Sequence, residues 1–139
     1  MTGRPAPGPG APVTGLSHVQ LLVSDVRASA HWYTTALGLE PYAEDADNGY
    51  IALRHRSARV VVVLTSGPAA GTDGGNRGRL DHLAFAVPDE AALRSWAAHL
   101  AEVGIEHAGV VLELGNPSLQ LRDPDGIAIE LVAPGSRPG

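Results

Sequence analysis

Three residues of metal-binding type, His18, His82 and Glu130, each lie in a short apolar segment of this 139-residue chain. Two imidazoles and one carboxylate are a donor set that binds a divalent metal on one side and leaves the other side open. A carboxylate among isoleucine, alanine, leucine and valine is costly to bury unless it is paired or coordinated. The set predicts one divalent metal ion and a small-molecule substrate; the metal could be iron, manganese, nickel or zinc.

Strand alternation predicts that these three residues share one face of a sheet, because successive side chains of a strand point to opposite faces. The opposite face is continuously apolar and should pack against helices. Short side chains such as Ala84 and Ala128 leave room beside the three candidate ligands, so a substrate pocket is expected there. No residue can be named as catalytic acid or base. The predicted pocket residues on this face are Gln20, Tyr50, Arg54, Val63, Thr65, Gln120 and Arg122.

An internal repeat indicates how the segments are arranged. When His18 is placed on His82, Asp25 falls on Asp89, and each aspartate is a good N-cap for the helix that follows. Each half then reads as a strand, a helix and three strands, and neither half closes a core alone. This predicts an α+β fold with a curved, barrel-like, eight-stranded mixed sheet, helices outside and a cavity inside. The predicted divisions are a disordered tail over 1–14, a first unit over 15–65, a linker over 66–79, a second unit over 80–133 and a tail over 134–139.

Composition excludes several classes of function. Hydrophobic residues make up 44% and charged residues 18% of the chain, which is typical of a globular protein. The net charge is −5, from 10 basic and 15 acidic residues, and no basic cluster suggests binding to nucleic acid or to an anionic membrane. The chain has no cysteine, so a thiolate metal site is excluded. With no apolar signal segment and no spanning run, a cytoplasmic protein is expected.

Short motifs along the chain also resemble a known superfamily. They are residues 16–19 with 23–26, 31–33 with 37–39, 80–85, and 123–126 with 130–131. Together they resemble the vicinal oxygen chelate superfamily, which includes glyoxalase I, extradiol dioxygenases, methylmalonyl-CoA epimerase, and the fosfomycin- and bleomycin-resistance proteins.

The resemblance implies paired βαβββ modules with a divalent metal at His18, His82 and Glu130. It also implies a homodimer, in which a site often takes ligands from both chains. The Gly-rich linker, which could join units that pair within or between chains, points the same way. The sequence does not distinguish a site within one chain from a site shared by two.

The residue at position 63, a valine, affects which members of the superfamily this chain resembles more. It is repeat-related to Glu130 and cannot coordinate a metal, which weakens the resemblance to glyoxalase I and to the epimerase. Three protein ligands with open positions resemble the extradiol dioxygenases and the fosfomycin enzymes instead. The expected function is a metal-dependent enzyme for a small oxygen-bearing molecule, either dioxygenase-like or isomerase/lyase-like. The alternatives are an antibiotic-sequestering protein of the bleomycin-resistance type and a transferase of the fosfomycin-resistance type.

Overall fold

A computed structural model describes residues 15–66, 80–113 and 115–134 of the chain. The predicted tails and linker lie outside these ranges, apart from Ser66 and Pro134. No helix among the described residues has the length and apolar character needed to cross a membrane.

The described residues form a strand, a helix and three strands twice in succession, as the repeat predicts. The first unit contains β1 (Val19–Val23), α1 (Val26–Leu37), β2 (Glu40–Asp45), β3 (Tyr50–Arg54) and β4 (Val61–Ser66). The second unit contains β5 (His82–Ala86), α2 (Glu90–Glu102), β6 (Val111–Glu113), β7 (Asn116–Arg122) and β8 (Ala128–Val132).

Both helices begin at the predicted aspartates. Asp25 accepts a hydrogen bond from the backbone N–H of Ala28 at 3.0 Å, and Asp89 accepts one from Ala92 at 2.8 Å. These bonds satisfy donors that the first helical turn leaves without an internal partner. Gly38 ends α1 in the left-handed conformation, with φ of 74°, which glycine adopts without steric cost.

The eight strands are divided into two four-stranded sheets, with strand orders β1-β4-β3-β2 and β5-β8-β7-β6. In each sheet the first strand of the unit pairs in parallel with the last, and the remaining pairs are antiparallel. The predicted α+β fold of paired βαβββ modules is therefore confirmed. Within the described residues the two sheets are not hydrogen-bonded to each other, so the eight strands of one chain make two half-sheets.

The helix-facing sides of both sheets share one hydrophobic core. Leu21, Leu64, Leu119 and Ile129 are buried in it, together with residues of both helices. The opposite sides of the sheets are much more open in the single chain: Leu22 is 42% exposed. The apolar face that strand alternation predicts is thus covered by helices, and the face that carries the candidate ligands is not.

The two units are tied together through α1 and the turn at residues 123–126. Asp123 is buried and accepts a hydrogen bond from the Tyr33 hydroxyl at 2.9 Å. Burial, followed by the neighbouring Asp123 carboxylate, raises the pKa of Tyr33 well above its usual value. Asp125 accepts a hydrogen bond from the backbone N–H of Ser24 at 3.1 Å. These contacts fix the relative position of the two units.

Candidate metal centre

His82 and Glu130 lie side by side on neighbouring parallel strands. In the register of β5 and β8, His82 pairs with Ala128 and Ala84 pairs with Glu130. The distance from His82 Nε2 to Glu130 Oε1 is 3.8 Å. This is less than the sum of two metal–ligand distances of about 2.1 Å each, so a single ion could contact both side chains. Glu130 is nearly buried, at 8% exposure.

Both repeat-related histidines are held at the same ring nitrogen by the residue that precedes them. Ser17 Oγ lies 3.0 Å from His18 Nδ1, and Asp81 Oδ2 lies 2.9 Å from His82 Nδ1. Metal-binding histidines generally donate the second ring N–H to such a partner, which fixes the tautomer and the orientation of the ring. The nitrogen that would bind a metal is therefore Nε2 in both histidines.

One chain does not bring His18 to the other two candidate ligands. His18 is exposed and lines a cavity of about 570 Å³ on the first sheet, called here the His18 cavity. His82 and Glu130 line a different cavity, of about 1070 Å³, on the second sheet, called here the His82 cavity. Among residues 15–66, 80–113 and 115–134, no three His, Asp or Glu side chains come close enough to hold a metal ion.

The predicted pocket residues divide between these two cavities. Gln20, Tyr50 and Val63 line the His18 cavity, and Gln120 and Arg122 line the His82 cavity.

The two remaining predicted residues line neither cavity. Arg54 is exposed at the end of β3, with its guanidinium carbon 4.9 Å from the centre of the Tyr42 ring. Thr65 donates a long hydrogen bond, 3.5 Å, to the carbonyl of Gly49.

Several residues of the two cavities were not predicted from the sequence. Trp32, Glu106 and His107 line the His82 cavity. His107 Nδ1 accepts from the backbone N–H of Gly109 at 3.0 Å. Ser17 and Asp81 also line these cavities and were not predicted. The sequence does carry a signal for these two, since both are polar residues directly before a repeat-related histidine.

The register of the sheets explains the role of Val63. Gln20 pairs with Val63 in the first sheet, as Ala84 pairs with Glu130 in the second. Val63 therefore occupies the place in the first sheet that Glu130 occupies in the second. It offers no metal donor, so His18 is the one candidate ligand predicted on the first sheet.

A comparison with protein families shows where the chain belongs. Residues 15–131 match the family model described as the Glyoxalase/Bleomycin resistance protein/Dioxygenase superfamily. The chain belongs to this superfamily. The resemblance drawn from the short motifs is confirmed. The superfamily contains both enzymes and resistance proteins, and membership alone does not assign an activity.

Two curated relatives match this superfamily member over part of their length. The "Putative ring-cleaving dioxygenase MhqA" of Bacillus subtilis is 25% identical over 134 residues, which cover 87% of this chain and 40% of that protein. The "Putative protein C31H2.4" of Caenorhabditis elegans is 35% identical over 52 residues, which cover 36% of this chain and 14% of that protein. The chain thus spans less than half the length of these relatives.

Solved structures of the superfamily share the fold. A glyoxalase/bleomycin resistance protein/dioxygenase domain from Frankia sp. EAN1pec is 28% identical, with a TM-score of 0.73 over 88% of this chain and 98% of that chain. A glyoxalase/dioxygenase from Nostoc punctiforme is 24% identical, with a TM-score of 0.69 over 96% and 97%. A mutant of the fosfomycin resistance protein FosX from Listeria monocytogenes, complexed with Mn(II) and 1S,2S-dihydroxypropylphosphonic acid, is 18% identical, with a TM-score of 0.69 over 89% and 95%. The last two likenesses concern the fold alone.

Proposed function

We propose that this chain is a divalent-metal-dependent enzyme that acts on a small oxygen-bearing molecule. We further propose that it works as a homodimer, in which His18 of one copy meets His82 and Glu130 of the other. The observation that carries the proposal is that both histidines are held through Nδ1 by the preceding residue. That arrangement suits two histidines that bind the same metal ion. In the single chain, however, His18 and His82 lie in separate cavities.

The contacts between the two units support the proposal of a second copy. Within one chain the units meet through α1 and the 123–126 turn, and through a 2.8 Å hydrogen bond between His99 Nε2 and the Thr35 carbonyl. None of these contacts involves the sheet faces that carry the candidate ligands. Pairing the first sheet of one copy with the second sheet of another would cover the exposed side chain of Leu22 and complete the donor set.

Several residues of the chain would have distinct roles at such a site. When bound, a divalent metal would supply a Lewis acid that orients substrate oxygens and stabilises negative charge on them. Ser17 and Asp81 orient the two imidazoles, and Glu130 provides the carboxylate ligand. Val63 adds no fourth protein ligand, so positions stay open for substrate. The FosX structure with Mn(II) and a diol phosphonate supports a metal and an oxygen-rich ligand on this fold.

Among the reaction types that remain, the donor set favours dioxygenase-type chemistry. Two histidines and one carboxylate with open positions are the arrangement of non-haem Fe(II) oxygenases. The similarity to a protein named as a ring-cleaving dioxygenase supports the same choice. An isomerase or lyase that uses manganese, nickel or zinc is the second candidate, because the same three ligands can hold those ions.

Mixed dimers of singly substituted chains test the shared site. A His18→Ala chain and a Glu130→Ala chain, co-expressed with different tags, should each lose tight zinc binding as homodimers. Their purified mixed dimer should bind one zinc ion, because His18 of the second chain and Glu130 of the first still form one complete site. Calorimetric zinc titration gives the stoichiometry.

A second mixed dimer serves as the matched control. A wild-type chain paired with a His18→Ala/Glu130→Ala chain should bind no zinc tightly, because each shared site then lacks one ligand. If this dimer binds one zinc ion and the first mixed dimer binds none, the site lies within one chain. If the wild-type protein binds no divalent metal at all, the enzymatic proposal fails.

A further inference from the structure

Arg54 lies on the same sheet face as His18, two strands away. In the first sheet Arg54 pairs with Val61 across β3 and β4, and Val19 pairs with Val62 across β1 and β4. His18, one residue before Val19, therefore lies next to Val61, on the opposite side of β4 from Arg54. Strands are spaced about 4.8 Å apart, so the backbones of His18 and Arg54 are about 10 Å apart.

A β-bulge in strand β2 places an aromatic ring against Arg54. The pairing of β2 with β3 shifts between Pro41 and Ala43, which leaves Tyr42 as an extra residue. Bulges of this kind redirect a side chain, and they are common beside binding sites. Tyr42 lines the His18 cavity, and the Arg54 guanidinium lies over its ring at 4.9 Å. This cation–π contact positions the guanidinium and leaves its N–H donors available.

The carboxylate that pairs with Arg54 across the sheet forms its hydrogen bond with another arginine. Glu40 is the cross-strand partner of Arg54, but its Oε2 accepts a hydrogen bond from Arg56 Nη2 at 2.9 Å. In the part of the chain that the structure describes, Arg54 forms no ion pair with any carboxylate. Arg54, which contacts the cavity-lining Tyr42, thus retains its capacity to bind an external anion.

The surface that joins His18 to Arg54 is small and apolar. Val61 lies between the two residues and lines the His18 cavity, and Ala43, Ala52 and Val63 line the same cavity in the neighbouring row of side chains. Ala43 and Val63 are each paired with Ala52 across the sheet. Short and β-branched side chains give a nearly flat surface over a span of about 10 Å. A planar molecule fits such a surface better than a bulky one does.

We propose that Arg54, positioned by Tyr42, is a specificity-determining residue that binds a carboxylate of the substrate. This inference rests on the proposed function, because the other end of the substrate would present its oxygens to the metal beside His18. The substrate class is a planar, carboxylate-bearing molecule with two neighbouring oxygens. Guanidinium and carboxylate pair through two parallel hydrogen bonds, which fixes the orientation of the ligand as well as its affinity.

Calorimetric titration with two matched probes tests the inference. The probes are 3,4-dihydroxybenzoate and catechol, which both carry two neighbouring hydroxyls and differ only in the carboxylate. The protein is loaded with zinc, which has no redox chemistry and so allows binding to be measured without turnover. The wild-type protein should bind 3,4-dihydroxybenzoate about tenfold more tightly than catechol, as expected for a hydrogen-bonded charge pair.

Four variants separate the role of Arg54 from a general effect of charge. Arg54→Gln should abolish the preference and leave catechol affinity unchanged. Arg59→Gln, which removes a positive charge from the exposed β3–β4 loop, should keep the preference. Tyr42→Leu should reduce the preference, because the guanidinium loses the ring that positions it, whereas Tyr42→Phe should retain it.

The outcomes distinguish this inference from the proposed function. The carboxylate site is overturned if the wild-type protein binds the two probes equally well or binds neither. It is also overturned if the preference survives in Arg54→Gln. A protein that binds zinc but shows no preference refutes the carboxylate site alone. A protein that binds no zinc, yet prefers the carboxylate probe in an Arg54-dependent manner, refutes the proposed metal enzyme and supports the carboxylate site.

Discussion

At the scale of single residues, the polar neighbours of His18 and His82 favour the proposed metal site over a pair of unrelated surface imidazoles. A histidine at the start of a strand is often only a partly exposed residue. Here Ser17 and Asp81 hold His18 and His82 at the same ring nitrogen, in two segments related by the repeat. Neither partner is needed to fill the core, since both are exposed. The positions of Ser17 and Asp81 are better explained if these residues orient the imidazole rings of His18 and His82.

Asp81 should therefore act on metal affinity and not on folding. Asp81→Ala should lower zinc affinity by up to about tenfold, the low end for residues that orient a metal ligand. The low end is expected because its side chain is 96% exposed and solvent screens its charge. Calorimetric titration would measure the loss, and the thermal midpoint should not change. Asp81→Asn keeps an acceptor oxygen and should retain most of the affinity; an equal loss in both variants would contradict the orienting role.

At the scale of elements, the turn at residues 123–126 does more than join β7 to β8. Asp123 Oδ1 accepts hydrogen bonds from the backbone N–H groups of Asp125 and Ile127 at 2.9 and 2.8 Å, and Asp123 Oδ2 accepts from Tyr33 on α1. One buried carboxylate thus shapes the turn and fastens the second unit to the first. A buried acceptor that loses one of these donors costs free energy.

Tyr33→Phe should lower the free energy of unfolding by about 1–2 kcal/mol at neutral pH, because Asp123 loses one of its donors. The wild-type protein should also lose stability above pH 10. There the unfolded chain releases the tyrosine proton at the ordinary tyrosine pKa of about 10, while the folded chain retains it because burial raises the pKa of Tyr33. Urea denaturation between pH 7 and 11 would measure both effects.

Two comparisons make this result interpretable. In Tyr33→Phe the loss of stability above pH 10 should be smaller than in the wild-type protein. The exposed Tyr42 provides a control, since Tyr42→Phe removes the same hydroxyl without a buried partner and should change stability by less than about 0.5 kcal/mol. Similar effects at Tyr33 and Tyr42 would mean that the bond to Asp123 contributes little.

At the scale of the whole molecule, the exposed sheet faces are the basis of the proposed dimer. In one chain the helices cover one side of each sheet, and the other side carries the candidate ligands. Leu22 projects from that uncovered side of β1 and is 42% exposed. A second copy on these faces would shield Leu22 from water and bring the two half-sites together.

Leu22→Glu should therefore separate the proposed dimer and abolish tight zinc binding without unfolding the chain. The substitution places a charge in a surface that pairing would remove from water, which is unfavourable. Light scattering at micromolar concentration would measure the mass, and circular dichroism the fold. Val103→Glu introduces the same charge beyond the end of α2, where Val103 is 37% exposed, and should leave the dimer intact. A wild-type mass of one chain would contradict the dimer.

The sequence alone determined the features that depend on local rules. The aspartate caps, the two strand–helix–three-strand units and the side of each strand that faces the helices follow from hydrogen bonding and side-chain alternation over a few residues. The boundary of β6 does not follow from such rules: the apolar segment 105–112 reads as a strand in the sequence, but β6 begins at Val111. His107 and Gly109 instead form a local hydrogen bond, and the left-handed φ of 88° at Gly109 interrupts an extended strand.

Only the tertiary structure decided which of these local features meet. His82 and Glu130 come together because β5 and β8 pair in parallel, whereas His18 lies in another cavity because α1 and the 123–126 turn join the units away from their open faces. The bulge that turns Tyr42 toward Arg54 depends on the pairing of β2 with β3. Contacts between residues far apart in sequence result from packing and hydrogen bonding of the whole chain, so no local pattern could specify them.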